Sequence, residues 1–128
     1  MFTLPKRFEV ILVFPIADTV HAYQKPEVLA VLEALGEVTD GASTSEGLGY
    51  WKPTEEFERA IHVYTFYDGS QGTLEAIWSS VLPVVTTWAC VTDQEAVAFE
   101  VNGELQIWDT ADLLVENYKW EEKYEAGS

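Results

Sequence analysis

The sequence predicts an α+β fold with a ferredoxin-like β-α-β-β-α-β core, extended by a C-terminal β-hairpin and helix. Three observations predict it. "RFEVILVFPI" and "FERAIHVYTFY" are apolar, β-branched runs with the length of central strands. Each is followed by apolar residues at helical spacing. In "AVAFEVNGELQIW", Asn102-Gly103 separates two alternating runs, which specifies a two-residue type I′ hairpin because both central positions need φ > 0.

The elements follow in order. Residues 7–16 form the first strand. "KPEVLAVLEALGEV" is a helix with Pro26 at its first position, Glu27 at its positive end, and Val28, Val31, Leu32 and Leu35 on one face. Gly36 is its expected stop. "EVTDGAST" reads as a short polar edge strand and "SEGLGYWKP" as a loop. Residues 57–67 form the second strong strand, with Ile61, Val63 and Thr65 on one face and His62, Tyr64 and Phe66 on the other. "DGSQGTLEAIWSSVLP" is the second helix, with a stripe of Leu74, Ile77, Trp78 and Val81, a cap at Ser70 or Asp68, and an end at Pro83. "TTWACVTD" reads as a strand. In the hairpin that follows, Val101 should face Glu104, and Phe99 should face Gln106. "DTADLLVENYKWEEKYE" is a terminal helix capped by Asp109 or Thr110, with Leu113, Leu114, Tyr118 and Trp120 as its apolar members. This topology leaves the second sheet face for the C-terminal additions, for a second copy in a homodimer, or for a ligand.

A chain of 128 residues is most simply one domain, residues 1–128, and its 48% hydrophobic content argues against disorder. No signal-peptide pattern or membrane-length apolar run is evident, and a single cysteine, Cys90, fits a reducing compartment. A cytosolic setting is expected. Twenty-two Asp and Glu against seven Lys and Arg give a net charge of −15. No Lys or Arg occurs between Arg59 and Lys119. Such a chain repels nucleic acid and anionic membranes and steers basic proteins toward itself.

Four kinds of chemistry have residues to consider. Gly36 and Gly41 have the glycine spacing of a phosphate loop, but Ala42-Ser43 replace the required Lys-Ser/Thr, and Glu37, Asp40 and Glu46 oppose a phosphate. Asp40, Ser43, Ser45 and Glu46 do not reproduce a calcium loop, and His21, His62 and Cys90 form no metal-binding pair, so no metal or cofactor is expected. A Cys90–His62 dyad across neighbouring strands is conceivable, but a thiol in "TWACVT" is more simply a small buried residue. Carboxylate pairs are too abundant to be specific. The remaining signal is aromatic residues among acids, which suits a partner surface with aromatic anchors. The expected partner-binding residues are Tyr50, Trp51, Glu100, Glu104, Trp108, Asp109, Asp112, Glu116 and Trp120. Trp78 and Trp88 are expected in the core.

A first helix ending "LEALGEVTDGAS", a Gly-rich stretch, a strand "RAIHVYTFYD" and a second helix resemble the small acidic, ferredoxin-like immunity proteins of bacterial toxin–immunity pairs. The resemblance spans residues 7–92 and lies in element order and in Gly36-Glu37-Val38-Thr39-Asp40-Gly41. The C-terminal hairpin and helix depart from it. It implies a non-enzymatic protein that occludes the active site of a cognate toxin. The leading expectation is therefore an immunity-type inhibitor of a basic toxin, such as a nuclease. Two alternatives stand beside it. One is a phage-type DNA mimic with carboxylates along one face; the other is a small enzyme or ligand-binding protein working in a sheet-face cleft.

Overall fold

The computed structural model describes residues 5–117. The order is β1 (Lys6–Pro15), a 3-10 turn (Ala22–Gln24), α1 (Pro26–Thr39), β2 (Ser43–Trp51), β3 (Glu56–Tyr67), α2 (Gln71–Val91), β4 (Ala96–Val101) and β5 (Glu104–Asp109). Residues 110–117 are helical and are labelled α3. The sheet order is β2-β3-β1-β4-β5, and every neighbouring pair is antiparallel. The first four strands form the ferredoxin-like arrangement, and β5 extends it beyond β4.

Alternation along the strands decides which face is buried. Phe8, Val10, Leu12 and Phe14 of β1, Ile61 and Val63 of β3, and Val97, Phe99 and Val101 of β4 point to the helix side. They meet Val28, Val31 and Leu35 of α1 and Ile77, Val81 and Val85 of α2. Phe8 stands edge-on to Trp78, with ring centroids 4.9 Å apart. Leu113 of α3 is fully buried in the same core. The C-terminal additions therefore widen the sheet and thicken the helix layer, and no described helix covers the second face.

The hairpin matches its sequence: Asn102 and Gly103 have φ of 54° and 87°, Val101 pairs with Glu104, and Phe99 with Gln106. Ser70 caps α2 by accepting from the Thr73 N–H at 3.2 Å. Trp88 is 5% exposed and Trp78 packs on the core, as expected.

Three local expectations are corrected. The strand expected at "TTWACVTD" is the C-terminal half of α2, which runs through Pro83 to Val91. Pro83 removes one helical N–H, at a cost of about 3 kcal/mol. Val85, Trp88 and Ala89 continue the buried stripe beyond it, and burial at about 1.5–3 kcal/mol per large side chain outweighs that cost. By length and mean hydropathy (1.4) α2 could cross a membrane, but its buried stripe packs on the sheet. Gly36 does not stop α1. Asp40 takes the left-handed position at φ 66°, its N–H donating to the Gly36 carbonyl at 2.9 Å, a conformation short Asp side chains tolerate. Finally, the expected edge strand lies further along: β2 is Ser43–Trp51, so the glycine-rich "SEGLGYW" is itself the strand. Gly47 and Gly49 are poor strand formers, but the backbone of β3 pairs with all nine residues of β2.

Candidate partner-binding surface

The uncovered sheet face is built from the alternate residues of the same strands. Across its centre run Ser43, Tyr64, Glu9, Glu100 and Leu105, paired strand to strand. The adjacent row is Ser45, His62, Ile11, Ala98 and Ile107. Leu105 and Ile107 are 62% and 68% exposed, and Phe66 is 52% exposed. Ala98 stands between Ile11 and Ile107 in that row. Glu100 and Asp109 place acids beside the apolar residues of β4 and β5.

At the centre of this face lies a polar cluster that the sequence reading missed. Glu9 is 1% exposed although it belongs to the open face. Its Oε1 accepts from the Arg7 guanidinium and contacts His62 Nδ1 at 3.1 Å. Arg7 also lies 4.5 Å over the Tyr64 ring. A carboxylate inside an otherwise apolar strand was the available signal, but its partner is 53 residues away. His62 is thus a half-exposed, paired histidine.

The arm formed by β2 and β3 is a second exposed region. Leu48, Tyr50, Trp51 and Phe57 are each more than half exposed, and the Tyr50 and Phe57 rings lie 5.0 Å apart. The arm closes in a turn at Lys52–Glu55, where the Glu55 N–H donates to the Lys52 carbonyl at 3.1 Å. Arg59 ties it to the β1–α1 loop, donating to the Val20 carbonyl at 2.9 Å, to the Asp18 carbonyl and to Glu46. Asp18 also receives Lys25. That hydrogen bond, with one from the Val20 N–H, holds the Asp18 carboxyl below its ordinary value. The hydrogen bond from Arg59 does the same for Glu46. Arg7, Lys25 and Arg59 are all engaged in internal ion pairs, so these cations do little to offset the acidic surface.

The expected partner-binding residues divide between opposite edges of the sheet. Tyr50 and Trp51 lie on the edge strand β2, while Glu100, Glu104 and Asp109 lie on β4 and β5. Glu104, Asp109 and Asp112 are exposed; Glu100 and Glu116 are partly buried. Trp108 is a core-side residue, with its ring 5.9 Å from Trp78 and its Nε1 donating to Gln106 at 3.1 Å. It is not a free anchor. Trp120 lies outside the described residues. Cys90 is exposed on α2, on the helix side, whereas His62 is on the opposite face. The dyad is therefore absent. Among the described residues, no group of three or more His, Cys, Asp and Glu could hold a metal ion.

No family model matches the chain, and no curated protein matches it. Among solved structures, a phage SAM lyase in complex with S-methyl-5′-thioadenosine is similar at a TM-score of 0.49 and 11% identity, over 82% of this chain and 89% of that one. A likeness this distant bears on neither activity nor ligand.

Proposed function

We propose that this chain is a non-enzymatic binding protein of the immunity or inhibitor type, which meets a basic toxin such as a nuclease in the cytoplasm and covers its active site. The observation that carries the reading is the uncovered sheet face, where exposed Phe66, Leu105 and Ile107 surround a paired polar centre in a chain of net charge −15. Exposed apolar residues supply the contact area, and the acidic field supplies encounter rate and selectivity. None of the described cavities is lined by Glu9, His62 or Cys90, which weighs against a catalytic cleft on this face. The DNA-mimic reading gains little, because the acids lie on α1, on the β2–β3 arm and on the β4–β5 edge rather than along one row.

The test is association with the basic product of a neighbouring gene. The rate should fall about tenfold or more between about 0.05 and 0.5 M salt. Leu105→Asp with Ile107→Asp should abolish binding while the fold is retained. Absence of binding, or a rate indifferent to salt, would overturn the proposal.

A further inference from the structure

The strand β3 outruns its neighbour. The β1–β3 ladder ends where Pro15 pairs with Glu58, whereas β3 begins at Glu56 and there pairs only with β2. Beyond Pro15 the chain leaves the sheet in a turn, with the Asp18 N–H donating to the Pro15 carbonyl at 3.0 Å. The step left at this end of the sheet is a cavity of about 370 Å3. Val13, Pro15 and Ile16 give it apolar walls, and Glu56, Glu58 and Gln94 bring polar groups to it. The volume is at the small end for ligand cavities and suits one long side chain.

Strand alternation fixes the direction of the acids. Val13 pairs with Ala60 and Pro15 with Glu58, on the same open face as Glu9 and His62. Glu56 and Glu58 therefore point the same way, about 6–7 Å apart along the strand. Glu56 is exposed and Glu58 half-buried, so both can be reached from outside. Among the described residues, neither carboxylate has a hydrogen-bond or ion-pair partner. Neighbouring acids differ: Asp18 receives Lys25, Glu46 receives Arg59, and Glu9 receives Arg7. Two like charges beside apolar walls repel each other, and a cation from outside relieves both.

We propose that this notch receives an arginine side chain of the basic partner and anchors that protein at the end of the open sheet face. The proposal rests on the reading of that face as the docking surface and names one contact within it. The guanidinium donates to Glu56 and Glu58, and its aliphatic stem packs on Val13, Pro15 and Ile16. Arginine fits better than lysine, because its planar fork of donors serves two carboxylates and is more weakly hydrated beside apolar walls. A second copy of this chain is disfavoured as the occupant, since two chains of net charge −15 repel each other.

The experiment titrates the full chain with N-acetyl-arginine methylamide, followed by NMR. Saturable binding with a Kd on the order of 1–10 mM is expected, with the largest shifts at Val13, Ile16, Phe57 and Gln94. The citrulline analogue keeps the shape but not the charge, and should bind at least about tenfold more weakly. The lysine analogue should bind about threefold more weakly. Glu56→Gln with Glu58→Gln should weaken arginine binding at least about tenfold, whereas Glu104→Gln with Asp109→Asn should change it less than about twofold. The proposal is overturned if no saturable shift develops by about 50 mM, if the citrulline or lysine analogue binds as tightly as arginine, or if the Glu56/Glu58 variant binds arginine unchanged. The analogue comparisons use the unaltered chain, so they decide the matter even where a variant fails to fold. Salt-dependent association of the basic partner without arginine binding would sink the notch alone. Arginine binding without any basic partner would leave the notch standing and remove the broader reading.

Discussion

His62 Nδ1 lies 3.1 Å from Oε1 of Glu9, a carboxylate only 1% exposed on the sheet face that no described helix covers. Glu9 also receives Arg7, which itself keeps 39% of its side-chain surface exposed. Removing Glu9 leaves two donors without their acceptor. Glu9→Ala should cost about 2 kcal/mol, less than for a fully buried pair because Arg7 can turn to water. Glu9→Leu should recover part of that loss, since a hydrophobic replacement of a buried charge is often tolerated. Urea unfolding of the two variants checks this, and an alanine variant as stable as the parent would refute the structural role.

The ion pairs at the β1–α1 loop predict the acid limb of stability. Lys25 depresses the Asp18 pKa, and Arg59 depresses that of Glu46. Each group's folded pKa lies below its unfolded value, so its contribution is present above the ordinary carboxylate pKa and is lost as pH falls through the folded value. Stability should decline as pH drops below about 4.5. Asp18→Asn and Glu46→Gln should each flatten that decline, by lowering stability between pH 6 and 8, where the contribution is present, and changing it little below the folded pKa. Denaturant titrations between about pH 3 and 7 measure it; slopes unchanged in both variants would count against these pairs.

Pro83 is a cost that α2 carries. Its position is helical, so Pro83→Ala restores a backbone donor without new strain. The variant should gain about 1–2 kcal/mol, the helix gain being partly offset by a freer unfolded chain. Thr87 Oγ1 donates to the Pro83 carbonyl at 2.9 Å, and the substitution keeps that carbonyl in place. Thermal and urea unfolding give the sign. A destabilised variant would mean that the proline ring contributes packing that outweighs its missing N–H.

Trp51 separates binding from folding. It is 59% exposed at the end of β2. Trp51→Ala should change stability by less than about 0.5 kcal/mol. If the arm contributes to partner recognition, the dissociation rate should rise at least about tenfold. Unchanged dissociation would confine recognition to the sheet face. Reversing Glu104, Asp109 and Asp112 together should preserve the fold, because all three are exposed, and should remove much of the salt dependence of association.

The segments specified by local residue pattern were legible from the sequence. The strand run of β1, the two-faced alternation of β3, the Pro26 start of α1 and the Asn102-Gly103 turn each reappear in the structure. β2 was not legible, because Gly47 and Gly49 carry no strand preference and the pairing comes wholly from β3. The second half of α2 was misread because "TTWACV" suits a strand by composition; only the helix-side core shows that Trp88 and Ala89 continue the stripe of Val81 and Val85. For the candidate site, the sequence determined a net charge of −15 and a supply of aromatics. The tertiary structure decided where they went: the β2-β3-β1-β4-β5 order placed Trp51 and Asp109 on opposite edges and brought Glu9 to His62. The physical reason is that charge and alternation belong to the chain, whereas strand order is set by which apolar faces bury together over long sequence separations.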